Sequence, residues 1–213
     1  MKAKQVEYVP GVGIDVAKFA NVVVDKEIKR NEINVPRDAF FMLSVGELNH
    51  NKNHEVIIRA LAEIKDENIH YAIAGKGNLS GYLTSLASEL GVGKQVHLLG
   101  YRRDIAELYK IADVCVFPSI REGLPVSVME AMATGLPVTC SKIRGNVDLV
   151  DANSGYMFNP NILDECISAL KHICSSDLQS IGSYNQQVAQ KYDISIINDD
   201  MIKIYDTVVI DKS

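Results

Sequence analysis

An α/β fold is predicted for this sequence: a doubly wound parallel sheet of about six strands, followed by a helical C-terminal tail. Three observations predict it. Short apolar runs of strand length alternate with longer segments of helical periodicity. The runs are apolar on consecutive residues, as strands covered on both faces are. After Pro160 no further strand-like run appears, and the chain reads as helix in about three pieces.

In chain order, Phe40–Gly46 (FFMLSVG) reads as the first strand, and His54–Ile64 carries apolar residues at helical spacing. Ile69–Gly75 is the second strand, and Leu79–Gly91 a helix closed by its glycine. Gln95–Gly100 is the third strand, with the helix Arg103–Ala112 after it. Asp113–Pro118 (DVCVFP) is the fourth. The next helix, Leu124–Gly135, has Pro125 early and Gly135 just past its end, the favoured asymmetry. Leu136–Ser141 and Gly155–Asn159 complete the sheet. The boundaries expected are an irregular lead-in over 1–37, a sheet core over 38–160 and a helical tail over 161–213. Within the lead-in, Val9–Gly13 (VPGVG) reads as a turn, and Val22–Ile33 is a candidate helix.

Composition narrows the function. The chain is 213 residues long and 47% hydrophobic, enough for a full core. A net charge of −5 makes it a poor partner for nucleic acid. The segment MKAKQVEYVPGVGID has no apolar signal core, and no run approaches the ~18–20 apolar residues of a spanning helix, so a soluble intracellular chain is expected. The four cysteines form no C-x-x-C and read as buried reduced thiols. His50 and His54 of NHNKNH are four apart, but no third ligand is nearby, so they read as loop or helix-cap residues.

In doubly wound sheets ligands sit at the carboxyl ends of the strands. Those ends carry Lys52, Lys76, Arg102, Arg103, Arg121 and Arg144, a cationic rim on an acidic chain that suits an anionic small ligand such as a phosphate. The stretch REGLPVSVMEAMATG (Arg121–Gly135) adds two glutamates, Glu122 and Glu130, eight residues apart. Its helix opens directly after a strand, so the first N–H groups lack intrahelical partners and form an anion site. Gly123 allows close approach to the backbone. Glu130 sits ~7–8 Å along the axis from Pro125, among Val126, Val128, Met129, Ala131, Met132 and Ala133. A carboxylate in so apolar a helix needs donors. Either an internal cap or ion pair supplies them, or the hydroxyls of a vicinal diol such as a ribose do. Glu122, on the other side of the anion site, is placed to accept hydroxyls from a second polyol. A diphosphate between two sugars satisfies both acids, and that object is a nucleotide-sugar.

The stretch resembles the E-x7-E motif of the retaining family 4 glycosyltransferases, which have the GT-B fold. Ala112–Asn146 is similar almost end to end to the subgroup that builds bacterial exopolysaccharides and capsules. GYRRDIAEL, VGELNHNKNHEVIIRAL and YVPGVGIDVAKF resemble it too, in the expected order, and the resemblance spans Tyr8 to Tyr205. It implies a Rossmann-like C-terminal, donor-binding domain, with the N-terminal acceptor domain absent from this chain. It implies that Glu122 holds donor-sugar hydroxyls near the anomeric carbon and that Glu130 holds the ribose diol. The backbone from Gly123 through Leu124 and Pro125 to Val126 would hold the distal phosphate, and Lys52 the diphosphate, against charge developing on the leaving group. The base would lie on Gly75–Gly77 and Gly100–Arg102, which brings in Gly75, Gly77, Tyr101 and Arg102. Glu47 stands where the wider family has an arginine, and Asn53 where glycine is usual. Arg103, Arg121 and Arg144 are candidates for the missing cation.

The implied reaction moves a hexosyl residue from a nucleotide diphosphate sugar, a UDP-sugar, to a growing lipid-linked polysaccharide, with no metal or other cofactor. The implied setting is the cytoplasm, with the complete enzyme peripheral to the inner face of the plasma membrane and this chain alone inactive or weakly active. Two other readings stand beside it. A nicotinamide dehydrogenase is supported only by GKGNLSG, which has Ser80 in place of the third glycine and Gln95 and His97 where an acid belongs. A non-catalytic nucleotide-sugar-binding or assembly module would keep the same fold. In the family the last helix crosses back to the N-terminal domain. The apolar face of Tyr192–Ile210 is therefore either open, and suited to self-association, or folded onto its own sheet.

Overall fold

The computed structural model describes residues 11–210, with side chains through residue 206. Val9 and Pro10 of the expected turn lie outside the described residues; Gly11 and Val12 form a turn. Six strands make one sheet: β1 (Phe40–Val45), β2 (Ile69–Ala74), β3 (Val96–Gly100), β4 (Val114–Phe117), β5 (Val138–Ser141) and β6 (Gly155–Phe158). Their order is β3-β2-β1-β4-β5-β6, and every pairing is parallel.

Nine described helices cover the sheet. They are α1 (Val16–Ala20), α2 (Lys26–Glu32), α3 (His54–Ile64), α4 (Ser80–Glu89), α5 (Ile105–Ile111), α6 (Val126–Ala133), α7 (Leu163–Cys174), α8 (Leu178–Ala189) and α9 (Ile194–Ile210). Alternation along the strands divides the core into two layers. Phe41, Leu43, Cys115, Phe117, Val138 and Cys140 pack with α1, α5, α6 and α8 and with Ile33 and Val35 after α2. Met42, Tyr71, Ile73, Val114 and Val116 pack with α3, α4 and α7. Both faces are covered, which is why the strands read as unbroken apolar runs.

The chain leaves β1 for β2 and β3 on one flank, then returns to β4 on the other. The loops after β1 and β4 therefore diverge, and a crevice opens between them at the carboxyl ends of the strands. This switch point is where a ligand site belongs.

The lead-in is more ordered than its sequence suggests. The guanidinium of Arg30, only 2% exposed, donates to the carbonyls of Ile111, Ala39 and Arg37 and to Asp113. These bonds satisfy backbone acceptors at the margin of the sheet. Lys29 pairs with Glu32, Asp104 and Glu107, and Arg102 with Asp104 and Glu32. The network ties α2 to the β3–α5 loop. Arg102 first, with Lys29 in support, holds the Asp104 carboxyl well below the usual carboxylate range.

The tail begins by pairing with the lead-in. Ile14 donates to the Tyr192 carbonyl and accepts from the Ile194 amide, each at 2.8 Å. Gly13 has φ +71°, and a Cβ there would stand 2.9 Å from Ile194 Cα, so the contact requires glycine. Along α9, Ile197 is buried while Ile194, Ile196, Ile202 and Tyr205 are 44–62% exposed. Of the two readings of this helix, the described side chains show the open face. No described helix is long and apolar enough to cross a membrane.

Four helices, α2, α4, α5 and α6, start later than the sequence suggests. Pro125 is extended at ψ 113° and caps α6, which begins at Val126 rather than Leu124. α5 begins at Ile105, because Asp104 is its cap and is held outside by Arg102 and Lys29.

Candidate functional site

Lys52 lies at the end of a 3-10 turn, His50–Lys52, in the loop after β1. The Asn49 side chain caps that turn by accepting from the Lys52 amide at 3.0 Å. The Lys52 ammonium is 2.7 Å from Glu122 Oε1 and 4.8 Å from the centroid of the Phe117 ring. Glu122 comes from the loop after β4, seventy positions away in sequence. The two side chains thus meet across the switch point, 20% and 16% exposed. Such a pair is sheltered enough to matter, yet open to a ligand that competes for either partner.

Beside this pair α6 presents its N-terminus. Val126 and Ser127 occupy its first turn, and their amides have no intrahelical partner. Pro125 has no N–H to give, and its carbonyl accepts from Val128 and Met129. The usable donors are therefore Gly123, Leu124, Val126 and Ser127, none of which donates to a described backbone group. Gly123 is exposed, and nothing occupies the space where its Cβ would be.

From behind, Gly145 presses on this segment. It has φ +92°, and an added Cβ would fall 1.6 Å from the Gly123 carbonyl oxygen. Gly145→Ala must therefore displace the Glu122–Gly123 loop as well as strain its own backbone. The expected cost is about 2–4 kcal/mol of stability, read from urea unfolding. An unchanged urea midpoint would show that the loop yields freely.

Glu130 lies one turn further along α6. It faces a groove of about 480 Å³ whose lining includes Lys18, Phe19, Val22, Arg103 and Ile105. No described residue hydrogen-bonds or ion-pairs with its carboxylate, so neither the internal cap nor the ion pair is present among the described residues. Burial pushes the carboxyl up to about 7, with Lys18 pulling weakly the other way. An acid so placed lacks the donors that its position calls for.

The remaining rim residues divide. A Cβ on Gly75 would stand 1.8 Å from the Gly46 carbonyl oxygen, and one on Gly77 would stand 2.2 Å from that of Leu48. These glycines are thus required by the close approach of the loop that carries Lys52, whatever else they touch. Tyr101 is 66% exposed, with the Lys76 ammonium 5.9 Å from its ring centroid. The Arg102 side chain is engaged with Asp104 and Glu32 through its Nε and Nη2.

Arg103 is exposed, lines the groove of Glu130 and has no described side-chain partner. Arg121 and Arg144 are also exposed. Glu47 is exposed and accepts from the Asn49 side chain at 2.9 Å.

Sequence reasoning missed Ser127 as a donor and His54 as a buried group. The His54 ring is 3% exposed, its Nδ1 is 2.9 Å from the Tyr71 hydroxyl, and burial pushes it down to about 4. The signal was available: His54, Ile57, Ile58 and Leu61 share one face of α3. His50, by contrast, is exposed on the 3-10 turn.

The model of the family described as glycosyl transferases group 1 matches residues 25–188. An Escherichia coli protein, UDP-Gal:alpha-D-GlcNAc-diphosphoundecaprenol alpha-1,3-galactosyltransferase, is 30% identical over 208 residues, which are 94% of this chain and 54% of that protein. The N,N'-diacetylbacillosaminyl-diphospho-undecaprenol alpha-1,3-N-acetylgalactosaminyltransferase of Campylobacter jejuni is 30% identical over 216 residues, 98% of this chain and 56% of that protein. The chain thus spans about half the length of these relatives. Among solved structures, Anabaena HepE in complex with UDP superposes with a TM-score of 0.83 at 23% identity, over 92% of this chain and 56% of that one. The structural likeness supports the fold, a Rossmann-like half of the GT-B architecture, and the family match covers the switch-point crevice with Lys52, Glu122 and Glu130. This chain belongs to the glycosyl transferases group 1 family.

Proposed function

We propose that this chain is the donor-binding half of a retaining glycosyltransferase that moves a hexosyl residue from a UDP-sugar to a growing lipid-linked polysaccharide. The observation that carries this reading is the meeting of Lys52 and Glu122, at 2.7 Å, in front of the free amides of α6. A cation, an acid and an anion-binding helix terminus converge there from the two sides of the switch point. The names of the E. coli and C. jejuni relatives specify undecaprenol-linked acceptors, and the Anabaena structure holds UDP. This donor domain works with an acceptor-binding half on the cytoplasmic face of the membrane.

The donor diphosphate competes with Glu122 for Lys52. Once Lys52 turns to the phosphate oxygens, Glu122 is released to accept hydroxyls of the transferred sugar. The Gly123, Leu124, Val126 and Ser127 amides hold the distal phosphate, and Glu130 accepts the ribose diol. As the bond from the anomeric carbon to the phosphate oxygen breaks, charge grows on the departing diphosphate, where Lys52 and the amides already point. The acceptor hydroxyl enters from the other half, its oxygen bonds to the anomeric carbon, and its proton passes to the departing diphosphate oxygen.

A non-catalytic module would bind the same donor. It differs in showing no transfer when an acceptor half is supplied. The donor reading is tested by thermal unfolding with UDP, ADP or GDP. At about 100 times its Kd, UDP should add about 2.7 kcal/mol, a rise of about 5–10 °C for a chain of this size. No rise with any of the three defeats the reading, and equal rises defeat the uridine assignment.

A further inference from the structure

NHNKNH (Asn49–His54) holds three asparagines in alternation, and the donor reading uses none of them. Each ties the loop to a different place. Asn49 caps the turn of Lys52 itself. Asn53 sits at φ 51°, a conformation asparagine tolerates, and donates to the Pro160 carbonyl beyond β6 at 3.1 Å. Asn51 reaches across the crevice. Its side-chain amide donates to the Arg121 carbonyl at 2.9 Å, and its own carbonyl accepts from the Ile120 amide at 2.8 Å.

These two bonds join the residue just before Lys52 to the two residues just before Glu122. They run between loops whose parent strands, β1 and β4, are neighbours in the sheet but lead to helices, α3 and α6, in different layers. Without them the ion pair is the nearest remaining link between the two loops, and a long lysine side chain is a poor ruler. A bond pair just upstream on both sides is a better one.

We propose that Asn51 is a positioning residue: it fixes the separation of the Lys52 and Glu122 loops, and so presets the Lys52 ammonium for an incoming diphosphate. The second half of this statement rests on the donor reading; the first does not. Asn51 touches neither side chain and acts through the backbone that carries them. The predicted consequence is selective. Substitution removes the side-chain bond to Arg121 and leaves the backbone bond from Ile120; loss of the side-chain bond should affect what Lys52 does and leave contacts elsewhere in the site unchanged.

Two readouts on the whole chain test it. The first is trace acylation of lysines with acetic anhydride, read by mass spectrometry at Lys52 against exposed Lys76 and Lys142. Asn51→Ala should speed acylation of Lys52 about threefold or more relative to those controls, in the same direction as Glu122→Gln. The second is calorimetry. Asn51→Ala should weaken UDP about fivefold, leave uridine unchanged, and cost nothing further in a Lys52→Ala background. Asn51→Leu fills a similar volume without a donor and serves as the second variant should alanine lower the melting temperature. Unchanged acylation in both variants overturns the proposal. So does a loss shared equally by UDP and uridine and additive with Lys52→Ala, which is the mark of general loosening. Faster acylation in a protein that binds no UDP would uphold the tie and defeat the donor reading.

Discussion

Lys52→Ala is expected to weaken UDP about ten- to a hundredfold while leaving uridine within about twofold, because a charge-assisted contact to phosphate contributes about 1.5–3 kcal/mol. The loss has two parts. One is the missing contact to the diphosphate. The other is Glu122, which in the wild type shares its charge with Lys52 at 2.7 Å and in the variant is left unpaired at 16% exposure beside the phosphate site. A second anion there repels the ligand. Adding Glu122→Gln to Lys52→Ala should therefore recover part of the loss, about three- to tenfold, in the manner of coupled neighbours. Calorimetry on the single and double variants separates the two parts. Equal affinity for UDP in wild type and Lys52→Ala would remove Lys52 from the diphosphate and leave its pairing with Glu122 as a purely structural bond.

The sheet was legible because its strands are buried on both faces. FFMLSV and IHYAIA announce themselves by composition, and the glycines and polar runs that follow mark their ends. Glu122 and Glu130 stood out for a related reason, as acids in an otherwise apolar stretch. Their geometry was less legible. Lys52 and Glu122 are seventy positions apart, and they meet only because β4 returns to the free flank of β1. No local pattern encodes that return; the family resemblance supplied the pairing of roles, and the strand order supplies the contact.

Arg30 shows the same limit. In KEIKRNE it reads as a surface cation, yet it is buried because the carbonyls of Ile111 and Ala39, remote in sequence, converge on it. Arg102 shows the converse. It reads as a free cation on the rim, but Glu32 from the lead-in claims it. Both cases turn on the lead-in packing as helices against the sheet layer, a tertiary fact. Asp15 and Asp25 cap these lead-in helices, and each accepts from the first turn of its helix.

Glu130→Gln is expected to separate what this acid does for stability from what it does for binding, with opposite signs. In the folded chain burial raises the carboxyl from its ordinary value near 4.5 to about 7. A raised acid favours the fold while protonated, so its favourable contribution is complete below about pH 4.5 and is lost as pH rises through about 7. Above that the native state holds a half-buried charge without donors. Allowing for solvent screening, the penalty is about 1–2 kcal/mol. Glu130→Gln should thus melt about 2–6 °C higher than wild type at pH 8 and within about 1 °C of it at pH 4.5.

Binding should run the other way. A ribose diol offers two hydroxyl donors to the charged form, so UDP should bind the wild type more tightly as pH rises from about 6 to 8, and release protons as it binds near pH 6.5. The glutamine variant should lose about five- to thirtyfold in UDP affinity at pH 8. Any pH dependence that remains in it belongs to the ligand phosphates or to other groups. A gain in stability with no loss of UDP affinity would mean that the groove of Glu130 is not the ribose site. A loss of affinity with no gain in stability would mean that the acid is satisfied before the ligand arrives.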